Sequence, residues 1–128
     1  MNNLSDYDRK AFWRDGFCIL RNFVDTERCV ELRNIAEKHL LDRIGPIEHE
    51  VDVQYPGSPK HPDAEGGTTS RRLLQAFARH RKFRCWAQAE EVVALLSKLF
   101  DSEEISLTQS HHNCIMTKQP GYSSDTGW

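Results

Sequence analysis

The sequence predicts an α+β fold, and three observations carry that prediction. Three stretches, near residues 5–16, 26–43 and 89–100, combine apolar content with capping residues and read as helices. Phe17-Cys18-Ile19-Leu20 is a short continuous apolar run, which reads as a buried strand. From Ile105 to Lys118, β-branched residues and polar–apolar alternation read as a second strand.

The elements follow in order. Ser5-Asp6-Tyr7-Asp8 has the S-x-x-D form of a helix start, Ala11, Phe12 and Trp13 supply apolar bulk, and Gly16 stops the helix. After the 17–20 strand, Phe23-Val24 lead into Asp25 as N-cap, with Glu27 in the first turn. The second helix runs from Thr26 to Arg43. Cys29, Leu32, Ile35, Ala36 and Leu40 share one face, and Gly45-Pro46 ends it.

Residues 46–70 hold four of the five prolines and Gly57, Gly66 and Gly67. This is a long surface excursion inside one domain, because neither flank is large enough to be a domain. Residues 71–84 carry Arg71, Arg72, Arg79, Arg81, Lys82 and Arg84 without an acid. As a helix they place Leu73, Leu74, Phe77 and Phe83 inward and the arginines in water. Val92, Val93, Leu95, Leu96, Leu99 and Phe100 form the apolar stripe of the Ala89–Phe100 helix. The 105–118 strand is expected to pack on that helix, with Gln109 to His112 weakening its middle. Pro120-Gly121 and Ser123 to Asp125 form a turn-rich exit.

At 128 residues the chain is one domain at most. Its net charge of −2 argues against bulk binding of nucleic acid or a membrane surface. No apolar run approaches the roughly 20 residues of a membrane helix, and the polar start does not read as a signal peptide. Cys18, Cys29, Cys85 and Cys114 are scattered with no C-x-x-C. They read as buried or semi-buried thiols of a cytoplasmic protein, and a zinc site is not expected.

Among the six histidines, His61-Pro62-Asp63 has the H-x-D form of two iron ligands. It lies between prolines and glycines rather than on a rigid strand end, so it reads as solvated loop. An iron protein built on His61, Asp63 and His111 is the variant of this idea. His111-His112 falls on the expected strand, where neighbours face opposite sides and do not share a metal. The Arg71–Arg84 stretch, interleaved with Phe77 and Phe83, supports an alternative function as a non-enzymatic helical module for an anionic partner.

Three segments together resemble a known family. They are Phe12-Trp13-Arg14-Asp15-Gly16-Phe17-Cys18-Ile19-Leu20, Phe23-Val24-Asp25 through Glu31-Leu32-Arg33, and Lys118-Gln119-Pro120-Gly121 through Thr126-Gly127-Trp128. In this order they resemble the N-terminal half of a phytanoyl-CoA dioxygenase-like Fe(II)/2-oxoglutarate oxygenase. The resemblance implies N-terminal helices and the first strands of a double-stranded β-helix (a jelly-roll, cupin-like fold), incomplete over residues 1–128.

It also implies hydroxylation of a small-molecule or acyl-CoA-like substrate, with Fe(II) and 2-oxoglutarate as cofactors of the full-length enzyme. The family's iron-binding H-x-D would follow Trp128. The chain is therefore expected to hold no catalytic or metal residue, to bind neither cofactor alone and to be inactive. His61-x-Asp63 does not substitute, being upstream of the strand that leads into the motif. Carried over by position, Lys118 sits near the 2-oxoglutarate carboxylates, and Cys114, with Asn113 as alternate, faces the barrel. Strand parity groups Cys114 with Met116 and Lys118. Trp128 would help to wall the pocket. No nucleic acid or membrane partner is expected, and open strand edges predict self-association.

Overall fold

The computed structural model describes residues 4–119. Helix α1 spans Asp6–Asp15. Its capping box forms as the sequence predicts: Asp8 N donates to Ser5 Oγ at 3.1 Å, and Ser5 N donates to Asp8 Oδ2 at 3.1 Å. Gly16 closes it at φ +83°, a left-handed conformation that glycine adopts without penalty. No residue of α1 is buried.

The segment Phe17–Leu20 is not a strand. Phe17 and Ile19 are 62% and 66% exposed. An apolar run becomes a strand only beside an edge that takes its backbone hydrogen bonds, and none pairs with it among the described residues. Helix α2 then covers Thr26–Leu41, with Asp25 Oδ1 accepting from Arg28 N at 2.7 Å. Its expected core face is thin. His39 is its only buried residue, and Cys29 is exposed. Cys85 is exposed too, so two of the four thiols depart from the buried reading.

The proline-rich segment is more than a surface excursion. It opens with β1 (Ile47–His49) and a 3₁₀ turn over Glu50–Asp52, and Glu50, Ser58, Pro59 and Gly67 are buried. Gly67 packs against the 61–62 backbone so closely that a Cβ would lie 2.5 Å from the His61 carbonyl oxygen.

The arginine-rich stretch is also not one helix. It divides into β2 (Ser70–Leu74), α3 (Ala76–Arg79) and α4 (Arg81–Ala87). Helix α5 (Glu90–Phe100) matches the expected stripe helix, and β3 is Cys114–Met116. The expected strand from Ile105 thus shrinks to three residues. Its neighbours are β2 and α3, where the sequence placed it against α5.

The sheet has the order β1-β2-β3, antiparallel throughout. Ile47, Leu73 and Ile115 stand opposite one another, as do Glu48, Arg72 and Met116. Cross-strand partners share a face, so the first row holds fully buried Leu73. The β1–β2 register slips after Glu48, leaving Arg71 as the extra residue of a bulge. The bulge brings two consecutive arginines to the same glutamate.

A second junction joins α1 to α5. Trp13 Nε1 donates to the Leu99 carbonyl at 3.2 Å, Lys98 Nζ donates to the Leu4 carbonyl at 2.6 Å, and Phe12 and Trp13 meet Phe100 edge-on. Leu4 and Leu99 are buried there. The accessible surface is 9417 Å², against roughly 7,000 Å² for a compact monomer of 14.8 kDa. Trp13, Phe17, Ile19 and Leu41 contribute to that excess.

Candidate functional site

The candidate residues cluster at β3. Asn113 precedes the strand and is 8% exposed. Its Oδ1 accepts from Phe77 N and its carbonyl from Ala76 N, both at 3.0 Å. These are the first two N–H groups of α3, whose own N-cap Gln75 sits at φ +55° with no side-chain cap. Asn113 therefore caps α3 from another part of the chain.

Cys114 stands opposite Leu74, on the face that carries Arg72 and Met116. Its thiol is half-buried, and burial pushes its pKa up, opposed by the Arg72 charge. Cys114 and Met116 thus share a face as parity groups them, while Lys118, the third member of that group, lies beyond the strand. Asn113 instead turns to α3. Beyond the strand, Thr117 N donates to the Arg71 carbonyl at 3.0 Å, and Thr117 Oγ1 donates to the Ser70 carbonyl at 2.8 Å. Lys118 follows and is exposed. Gln119 lines a groove of about 860 Å³ with Leu41, Arg43, Ile47, His49 and Ser70. A groove of about 740 Å³ lies elsewhere, among Phe23, Arg28, Glu91, Leu95 and Lys98. There Arg28 Nη1 meets Glu91 Oε1 at 2.5 Å. The Glu91 carboxyl lies below its ordinary pKa through its own backbone N–H and then Arg28.

Beside β3, on the β1–β2 ladder, lies an ion cluster that the sequence reading missed. Arg71 is 4% exposed, and its Nε and Nη1 lie 3.4 Å from Glu48 Oε1 and Glu50 Oε2. Arg72 Nε lies 3.3 Å from the same Glu48 oxygen. The Tyr55 ring covers the Arg71 guanidinium at 5.0 Å. Arg71 was expected on a wet helical face and is instead the buried centre of this cluster. The signal in the sequence was Glu48-His49-Glu50, an acidic pair placed to neutralise an arginine pair. Arg79 also leaves the expected wet face, since burial lowers its pKa and its Nε donates to the Leu74 carbonyl at 2.6 Å.

His61 and Asp63 are 70% and 91% exposed and turn onto each other, with Nδ1 and Oδ2 3.2 Å apart. They are solvated loop residues, as read. His111 and His112 are not on opposite faces of a strand. They lie in a turn with ring centroids 4.0 Å apart, both exposed. Among the described residues, no group of three His, Cys, Asp or Glu is placed to hold a metal ion, so those residues do not fit an iron centre. The Pro120–Trp128 part of the third motif, with Trp128, lies outside the described residues. No helix among them is long and apolar enough to cross a membrane.

The family profile described as phytanoyl-CoA dioxygenase (PhyH) fits residues 12–128. No curated protein and no solved structure matches the chain. A match over that span takes in α1 from Phe12, α2, the whole sheet and the residues that follow β3, and the chain belongs to the phytanoyl-CoA dioxygenase family.

Proposed function

We propose that this chain is the N-terminal part of a non-haem Fe(II)/2-oxoglutarate-dependent dioxygenase domain that hydroxylates a small-molecule or acyl-CoA-like substrate. The family match over residues 12–128 carries this reading. The described residues supply no iron ligand set, so the reading assigns the metal to residues outside them, and the chain by itself is inactive.

What these residues do is bind and position. Lys118 offers an exposed ammonium, a point charge suited to a 2-oxoglutarate carboxylate, just beyond the last ladder contact at Thr117. Cys114 keeps its proton because burial raises its pKa, and it presents an uncharged wall on the sheet face it shares with Arg72 and Met116. Asn113 holds the start of the strand by capping α3. The large accessible surface and exposed Phe17, Ile19 and Trp13 support self-association of the isolated chain.

The test is succinate release from 2-oxoglutarate under Fe(II) and air, for this chain and for a longer chain that continues into an H-x-D and a distal histidine. The longer chain is expected to turn over and this one is not. Lys118→Ala in the longer chain raises KM for 2-oxoglutarate about tenfold, which corresponds to about 1.4 kcal/mol. Turnover by the 128-residue chain, or an unchanged KM in Lys118→Ala, refutes the corresponding part.

A further inference from the structure

The C-terminal end of α2, the start of β1 and the end of β2 are tied together by one side chain. Arg79, the last residue of α3, donates from Nε to the Leu74 carbonyl at 2.6 Å and from Nη1 to the Ile44 carbonyl at 2.8 Å. Its Nη2 donates to the Pro46 carbonyl, which also accepts from Leu74 N at 3.1 Å. The remaining contact is Nη1 to His39 Nδ1 at 3.2 Å. Three carbonyls and one imidazole therefore receive this guanidinium. The Ile44 N–H in turn donates to the His39 carbonyl at 2.9 Å, so the loop after α2 is anchored at both ends of the same residue pair.

His39 is the weak member of this set. It is 8% exposed, and its Nδ1 accepts from Arg79 only while the ring is neutral with its proton on Nε2. A second proton turns that acceptor into a donor facing another donor, with two positive charges in contact. We propose that His39 and Arg79 form a pH-sensitive latch, closed while His39 is neutral and opened when it is protonated. The other groups around the ring agree in sign. Arg79 from α3, His80 at the α3–α4 junction with its centroid 6.4 Å away, and Lys38 on α2 all oppose a positive His39. Asp42, the C-cap of α2, favours it, but Asp42 is already paired with Lys38. Burial, then Arg79 and His80, hold the imidazole below its ordinary pKa.

The unfolded chain takes up the His39 proton near pH 6.5 and the folded chain only at lower pH. Between those values the unfolded state holds more protons, so stability falls as the pH falls. The latch also reaches the candidate site. Helix α3 is held by Arg79 at its end and by Asn113 at its start, so an open latch loosens the seat of β3. The proposal concerns the fold and does not need the oxygenase reading.

The test follows the His39 imidazole by NMR in the full chain, from about pH 7.5 to about 4.5, around the ordinary histidine value. Urea unfolding and hydrogen exchange of the Leu74 N–H are read at the same pH values. His39 is expected to titrate below about 6.5, and its proton raises the unfolding constant by up to about tenfold per pH unit there. Leu74 exchange speeds up over the same range, beyond its intrinsic pH dependence. His39→Gln keeps a neutral acceptor at every pH, and its acid slope is smaller by this one proton. Titration at or above the ordinary value, or an unchanged slope in His39→Gln, overturns the latch. If His39→Gln fails to fold, the wild-type chain still decides. Leu74 exchange that tracks only its intrinsic pH dependence rejects the proposal.

Discussion

Removing Glu50 should do more damage than removing Glu50 and Arg71 together. At 3.4 Å and an effective dielectric of about 20, the Arg71–Glu50 contact is worth about 5 kcal/mol before desolvation. Both side chains are 4% exposed, so neither charge recovers its hydration when the other is lost. Glu50→Leu leaves Glu48 as the remaining carboxylate in the described cluster, shared by Arg71 and Arg72 at 3.4 and 3.3 Å. Breaking a buried pair on one side costs about 3–5 kcal/mol, and the surviving Glu48 contact puts this case near 3. Glu50→Leu with Arg71→Met removes both charges and leaves the Glu48–Arg72 pair whole. That double variant should return to within about 1 kcal/mol of the parent. Urea unfolding at neutral pH reads all three, and at about 4 °C per kcal/mol the single variant also melts about 12 °C lower. A single variant that loses less than about 1 kcal/mol, or a double variant no better than the single, would refute the assignment of the cluster as a buried, mutually neutralising set.

Further outcomes follow from the same geometry. Leu73→Ala empties a fully buried position at the centre of the sheet and should cost about 2–5 kcal/mol by denaturant unfolding. Asn113→Ala removes the cap from α3 and should cost about 1 kcal/mol, whereas Asn113→Asp, which keeps the acceptor, should cost less. Timed alkylation followed by mass spectrometry should modify exposed Cys29 and Cys85 first. Cys114 should lag, because burial both shields the thiol and raises its pKa. Light scattering on the purified chain should show a mass that grows with concentration, and Phe17→Ser with Ile19→Ser should reduce that growth. A monomer at all concentrations would remove the self-association.

What the sequence disclosed is what short-range physics decides. The Ser5 capping box, the Gly16 stop, the Asp25 cap and the α5 stripe each depend on residues within a few positions, and all four are present. The sheet depends on distant pairs and was largely hidden. β2 lies inside an arginine run that reads as a wet helix, and it becomes a strand because Glu48 and Glu50 lie across from it. β1 sits next to Pro46 in a stretch whose composition reads as loop. Phe17–Leu20 and residues 105–110 have strand-like composition but no partner among the described residues, and they stay irregular. At the candidate site, Cys114 and Met116 share a sheet face as parity groups them, Lys118 lies beyond the strand, and no local rule indicated that Asn113 caps α3.

That cap changes what the candidate strand is. β3 is three residues long and edges a small sheet, and a strand so short is marginal when held by its ladder alone. It is fixed instead from both sides of its sequence. Before it, Asn113 is bonded into the first turn of α3. After it, Thr117 is bonded to the Ser70 and Arg71 carbonyls by hydroxyl and backbone together. Arg71 belongs to the ion cluster and α3 ends in the Arg79 latch. The position of Cys114 therefore depends on two charged devices as well as on the apolar row around Leu73. A buried Arg–Glu cluster contributes little net stability beside a well-packed apolar replacement, yet losing one partner of it is costly. A three-residue strand is placed more accurately by this arrangement than by its ladder alone. It also becomes sensitive to any charge change at Glu50, Arg71 or His39, far along the chain from the residues they position.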